Sequence, residues 1–165
     1  MHSRVAIFAA AILALVGSAP TASAVTATRS EGRAFVGTAP GLVPAAGVTG
    51  VRITAQQSGD IWTLPVSFRL NFTEFDANPG NKFSFTVWIE LWEQDDVYDD
   101  FLVKTRPAKA TPQTSGSSWN HTFKRTSDQL DQEQGGEEIY ARVLVKNMDT
   151  GAKVEGASLR IQIAP

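Results

Sequence analysis

Five carboxylates crowd into eight residues of this chain: Glu93, Asp95, Asp96, Asp99 and Asp100. Like charges at that density repel one another unless solvent, a cation or a basic partner intervenes. Carboxylate oxygens are also what a hard cation takes as ligands, about six to eight of them for calcium. Glu93, Asp95, Asp99 and Asp100 therefore read as candidate calcium ligands. Two other readings use the same residues. A solvated acidic loop keeps a sheet end soluble and discourages edge pairing. Alternatively, the acids form the rim of an interface for a protein or carbohydrate ligand, with Trp88 and Trp92 as aromatic anchors.

Other residue types capable of chemistry are few. Asp128, Asp131, Glu133, Glu137 and Glu138 flank Gly135-Gly136 and either join the first acidic group at one end of the fold or decorate a turn. His121 is the only histidine beyond residue 2 and alternates in phase with Trp119 and Phe123, so a packed structural histidine is expected rather than a general base. The chain has no cysteine, which excludes cysteine nucleophiles and thiolate zinc sites. It also lacks a Gly-x-Ser-x-Gly elbow, paired histidines and a phosphate loop. Carboxylates are abundant, so a hydrolase using an Asp/Glu pair stays open. Asn71-Phe72-Thr73 and Asn120-His121-Thr122 match glycosylation acceptors.

The element that must position these groups is the strand before the acidic stretch. Phe83, Phe85, Val87, Ile89 and Leu91 alternate with Ser84, Thr86, Trp88, Glu90 and Trp92, the period of a strand buried on one face. Trp88 and Trp92 thus fall on the face opposite the apolar one. Val66, Phe68, Leu70 and Phe72 alternate likewise, and the turn formers from Asp76 to Asn81 suggest a hairpin between these two strands. Pro65 marks a strand start or a sheet edge, because it cannot donate to a ladder. Further alternation is found at Val51–Ala55, Phe101–Arg106, Trp119–Phe123, Glu138–Lys146 and Leu159–Ile163, and Arg33–Gly37 reads as a short edge strand. No apolar repeat holds helical spacing for three turns. The expected fold is all-β, an antiparallel β-sandwich of about seven or eight strands, with a small β-barrel as the alternative.

Residues 1–24 read as a cleavable signal peptide. Arg4 gives a basic start, Val5 to Val16 is apolar, and Ala22-Ser23-Ala24 is a small-x-small cleavage pattern. Export is expected, with cleavage near Ala24, a flexible leader over 25–47 and one domain over 48–165. No later run is long and apolar enough to span a membrane. Beyond the signal peptide, 14 basic residues face 17 acidic ones, a balance that argues against nucleic acid.

Leu91-Trp92-Glu93-Gln94-Asp95, a short spacer and Asp99-Asp100-Phe101-Leu102 resemble the third calcium loop of C2 domains. The resemblance covers about a dozen residues and implies calcium ligation by Asp95 and Asp100, with Glu93 and Asp99 beside them. Companion-loop counterparts are limited to Asp60, or Asp76 with Asn78. The leading expectation is a secreted, non-enzymatic binding protein, with calcium ordering its acidic loop as one version. The alternatives are a secreted hydrolase and a structural or inhibitor-like interaction protein without a ligand.

Overall fold

The structure is a computed structural model that describes residues 24–26, 46–94, 98–130 and 136–163. The signal-peptide residues before Ala24, the edge strand expected at Arg33–Gly37, and Asp95, Asp131 and Glu133 lie outside the described residues. In chain order the strands are β1 (Ala24–Thr26), β2 (Ala46–Ser58), β3 (Ile61–Phe72), β4 (Phe85–Glu93), β5 (Asp100–Lys104), β6 (Ala108–Ala110), β7 (Ser117–Thr126), β8 (Glu137–Asn147), β9 (Lys153–Ala157) and β10 (Ile161–Ile163). A single helical turn, α1 (Glu74–Ala77), separates β3 from β4, and a 3-10 turn at Ser127–Gln129 follows β7.

The strands make two antiparallel sheets that face each other as a sandwich and do not close into a barrel. The first has the order β1-β2-β3-β7, with the three-residue β1 at its edge. In the second, β8 and β4 form the centre; β10 and β9 share the free flank of β8, and β5 and β6 share the free flank of β4. The strand count exceeds the expected seven or eight because these flanks are built from short segments rather than continuous strands.

The alternating pattern decides which face goes inward. Val51, Ile53, Leu64, Val66, Phe68, Leu70, Val87, Ile89, Leu91, Ile139, Val143 and Val145 are all buried between the sheets, where apolar burial is the main stabilising term. At Gly156 of β9 the sheets approach so closely that a Cβ would lie 2.9 Å from Cγ1 of Val48. Glycine is the residue that permits this contact.

Two local expectations are corrected. β3 and β4 do not pair as a hairpin; they belong to opposite sheets, and their connection holds a capped turn. The Thr73 amide donates to Asp76 Oδ2 (3.2 Å) and the Asp76 amide donates to Thr73 Oγ1 (3.1 Å), a reciprocal cap that starts α1. The chain then crosses between sheets, with Phe72 and Phe85 edge-to-face at 4.9 Å. Pro65, in turn, lies within a central strand, between β2 and β7. Its missing donor falls between Ile53↔Val66 and Gln56↔Thr63, a stretch of unchanged register in which no β2–β3 partners are paired. Among the described residues no helix is long and apolar enough to cross a membrane.

Candidate functional site

Of the four proposed cation ligands, the three that are described, Glu93, Asp99 and Asp100, do not share one direction. Alternation continues one residue further than the acidic composition suggested, so Glu93 is the last inward position of β4 and is fully buried. Asp100 pairs with it across β5 but is exposed at the sheet edge. Asp99 accepts a hydrogen bond from the Tyr140 hydroxyl at 2.7 Å, and Tyr140 belongs to the outward face of β8. Burial, and then the bond and charge of Asp99, raise the Tyr140 pKa well above its ordinary value. Asp95 lies outside the described residues. Among the described residues no three His, Asp or Glu side chains gather in a way that could hold a metal ion.

From the second acidic group, Glu137 comes to the same end of the same sheet. It opens β8 two residues before Ile139, the partner of Glu93, faces inward, and is buried. Both Glu93 carboxylate oxygens and Glu137 Oε1 are buried without a hydrogen-bond partner among the described residues. Glu138 points outward and meets Arg160 at 3.4 Å; Asp128 is exposed. Asp76 is occupied by its cap at the Phe85 end of β4, opposite the Glu93 end, and Asp60 accepts from the Ser127 amide through its carbonyl at 3.0 Å.

Trp92 is integrated into the outer face of the second sheet. Its Nε1 donates to Glu90 Oε2 at 2.9 Å, Phe101 packs edge-on at 5.3 Å, and the Arg142 guanidinium lies 5.7 Å from its ring centroid. Arg142 also donates from Nε to Glu155 at 3.1 Å. Burial works against the charge on Arg142, but the bond and field of Glu155, with Glu90 and Tyr140 adding, leave its pKa above the ordinary value. The indole is therefore half-buried under neighbours from β5 and β8.

Trp88 has a different setting. Between the stretches of β4 that pair with β5 and β6, the link at Thr105–Pro107 bows along the strand. Thr105 donates its amide to the Ile89 carbonyl at 2.9 Å and accepts from the Ile89 amide through Oγ1 at 3.1 Å. Here the sandwich is open at its side, because β7 is the edge of one sheet and the β5–β6 flank is the edge of the other. The result is a groove of about 430 Å³, floored by Val87 and Ile89 and lined by Trp88, Thr105, Arg106, Trp119, Asn120 and His121.

The sequence put Trp119, His121 and Phe123 on one face of their strand, and the register with Phe68 and Val66 keeps them on one face, but Trp119 is half-buried and His121 is exposed rather than packed. As β7 is an edge strand, that face emerges into the groove. Trp119 stacks on Phe68 at 6.1 Å and 19°, and its Nε1 donates to Ser117 Oγ at 2.9 Å. His121 sits edge-on to Phe123 at 4.5 Å, and burial lowers its pKa, favouring the neutral ring. The sequence reading did not foresee the meeting of Trp88 with Trp119, since the two tryptophans come from opposite sheets.

No family model, no curated protein and no solved structure matches this chain.

Proposed function

We propose that the chain is a secreted, non-enzymatic β-sandwich binding protein whose ligand enters the side groove between the sheets. One observation carries this reading: a concave space of about 430 Å³ where Trp88 and Trp119, from different sheets, meet the polar side chains of Arg106, Asn120 and His121. Mostly apolar concavities of roughly 300–1,000 Å³ with a few convergent polar groups are the usual form of a small-ligand site. The lining holds no carboxylate and no nucleophile in a pair with His121, which favours binding over turnover. Export rests on the basic start, apolar run and Ala22-Ser23-Ala24 pattern.

The test is a fluorescence screen of soluble peptides and glycans against the purified domain. Saturable quenching by at least one class, lost in Trp119→Ala and kept in Trp92→Ala, is expected. Saturable binding that survives both Trp119→Ala and Trp88→Ala would place the site elsewhere and overturn the reading, as would the absence of binding by every class.

A second reading, a cation at the acidic strand end, is favoured by the buried oxygens of Glu93, which have no hydrogen-bond partner among the described residues. Oxygen donors of this kind suit calcium, and a ligand bound only to the folded state raises its melting temperature. Millimolar calcium is expected to raise the midpoint, EDTA to lower it, and Glu93→Gln to remove the difference. A midpoint indifferent to calcium and EDTA ends this reading without touching the first.

A further inference from the structure

We infer that the groove takes an anionic saccharide, with a sugar ring on Trp119 and the acid group toward Arg106; this rests on the groove being the binding site. The charge of the chain is unevenly placed. It is net acidic as a whole, yet from Phe101 to Ser127 it contains Lys104, Arg106, Lys109, Lys124 and Arg125 and not one Asp or Glu. That run builds β6, β7 and all of β5 but its first residue, Asp100, the strands on both sides of the groove. Arg106 lines the groove itself, and among the described residues it has no ion-pair partner. A concavity flanked by one sign of charge concentrates ligands of the other.

The flat surface and the polar rim narrow the class further. Phe68 covers one face of Trp119, and Ser117 already accepts from its Nε1. What the residue offers the groove is its other π face, a stacking surface. Asn120 and His121 add groups that exchange hydrogen bonds with hydroxyls. A planar apolar face, hydroxyl partners and an exposed guanidinium together match a uronate-type sugar: C–H groups on the indole, hydroxyls on the amide and imidazole, carboxylate on the arginine. Because the groove lies along the open side of the sandwich, between two strand edges, a chain of sugars can extend out of it.

The experiment titrates the folded domain with trigalacturonate, with maltotriose as the neutral counterpart and an oligothymidylate as an anion that also stacks. Trigalacturonate is expected to quench tryptophan emission saturably, with affinity lowered roughly tenfold in Arg106→Ala, the scale of one charge-assisted contact. Added salt should weaken it as well. Trp119→Ala should abolish it, with thermal unfolding showing each variant folded. Equal affinity for maltotriose, unaffected by Arg106→Ala, would overturn the anionic assignment while leaving the groove as a binding site. Tighter binding of the oligothymidylate would overturn it in favour of nucleic acid. Failure of all three probes to bind would overturn the saccharide class itself; the groove reading would then rest on the wider screen.

Discussion

Glu93 and Glu137 lie on adjacent strands, on the same inward face and at the same end of the sandwich, with relative exposures of 0% and 4%. Glu93 is directly opposite Ile139, so Glu137 is its diagonal neighbour, about 7–8 Å away in ordinary sheet geometry. Removing an ion from water costs several kcal/mol in effective terms when nothing pairs with it, and among the described residues neither oxygen of Glu93 has a partner. Glu93→Met keeps the volume and removes the charge. In EDTA it is expected to raise the urea unfolding free energy by about 1–3 kcal/mol. A lower midpoint would show that the ionised carboxylate contributes to stability.

The cap at Thr73 and Asp76 makes a contrasting prediction from another carboxylate. Asp76 is 2% exposed but fully engaged with Thr73. Asp76→Ala leaves the Thr73 amide without its acceptor, and a loss of about 1–2 kcal/mol is expected. The loss should be equal with and without calcium, since Asp76 is at the end of β4 away from Glu93. A calcium-dependent loss, read by paired melting curves, would tie this turn to the acidic end.

Arg142 joins two contacts, the ion pair to Glu155 and the face of Trp92. The pair's side chains are about a third exposed, so the ion pair itself is worth only about 0.2–1 kcal/mol. The contact with the indole adds about 0.5–1 kcal/mol. Arg142→Met should therefore cost about 1 kcal/mol and shift Trp92 emission to the red. Half-molar salt should shrink the difference. A variant as stable as the parent with unchanged emission would mean that the guanidinium does not cover the ring in solution.

The sandwich was legible because period-two burial is a local signal. Phe85 to Leu91 and Val66 to Phe72 face inward as their alternation requires. The same rule, carried one residue further, places Glu93 inside; its acidic neighbours made it look like the first residue of a loop. The supposed hairpin between β3 and β4 was not decidable from turn formers, because those residues equally serve a crossing between sheets. The available clue was Thr73-x-x-Asp76, a helix-start signature. The groove needed non-local information: Trp88 and Trp119 line one space only because the flank of β4 between β5 and β6 lies beside β7, the edge strand of the other sheet. A carboxylate-free run from Phe101 to Ser127 was its one linear trace.

His121 supplies a prediction in pH. Its folded pKa is lowered by burial below the ordinary imidazole value of about 6.5, so the folded state binds its proton less readily than the unfolded chain. The associated stability is present above pH 6.5 and is lost as pH falls through the lowered value. His121→Gln should flatten the decline in melting temperature below that pH. Affinity for trigalacturonate should move the other way, rising on acidification as the imidazole gains charge beside Arg106, the other cationic group lining the groove. Titrations across pH 7.5 to 5 check both; affinity that falls on acidification, while the ligand remains ionised, would remove His121 from the binding surface.

Gly116 links stability to the groove, because it sets the entry to β7. Its φ is 71°, and a Cβ there would lie 2.8 Å from the Leu70 carbonyl oxygen. Arg69 donates to the neighbouring Ser115 carbonyl, so the turn is fastened to β3 on the same side. A left-handed conformation costs a residue with a Cβ about 1–2 kcal/mol, and the clash with backbone adds to it. Gly116→Ala should therefore lower stability by about 2 kcal/mol or more. Only Ser117 and Ser118 separate it from Trp119, so the displacement should also weaken ligand quenching more than a remote substitution of equal cost, such as Asp76→Ala. Equal binding by the two variants, measured below both melting temperatures, would show that the start of β7 adjusts without carrying Trp119 along.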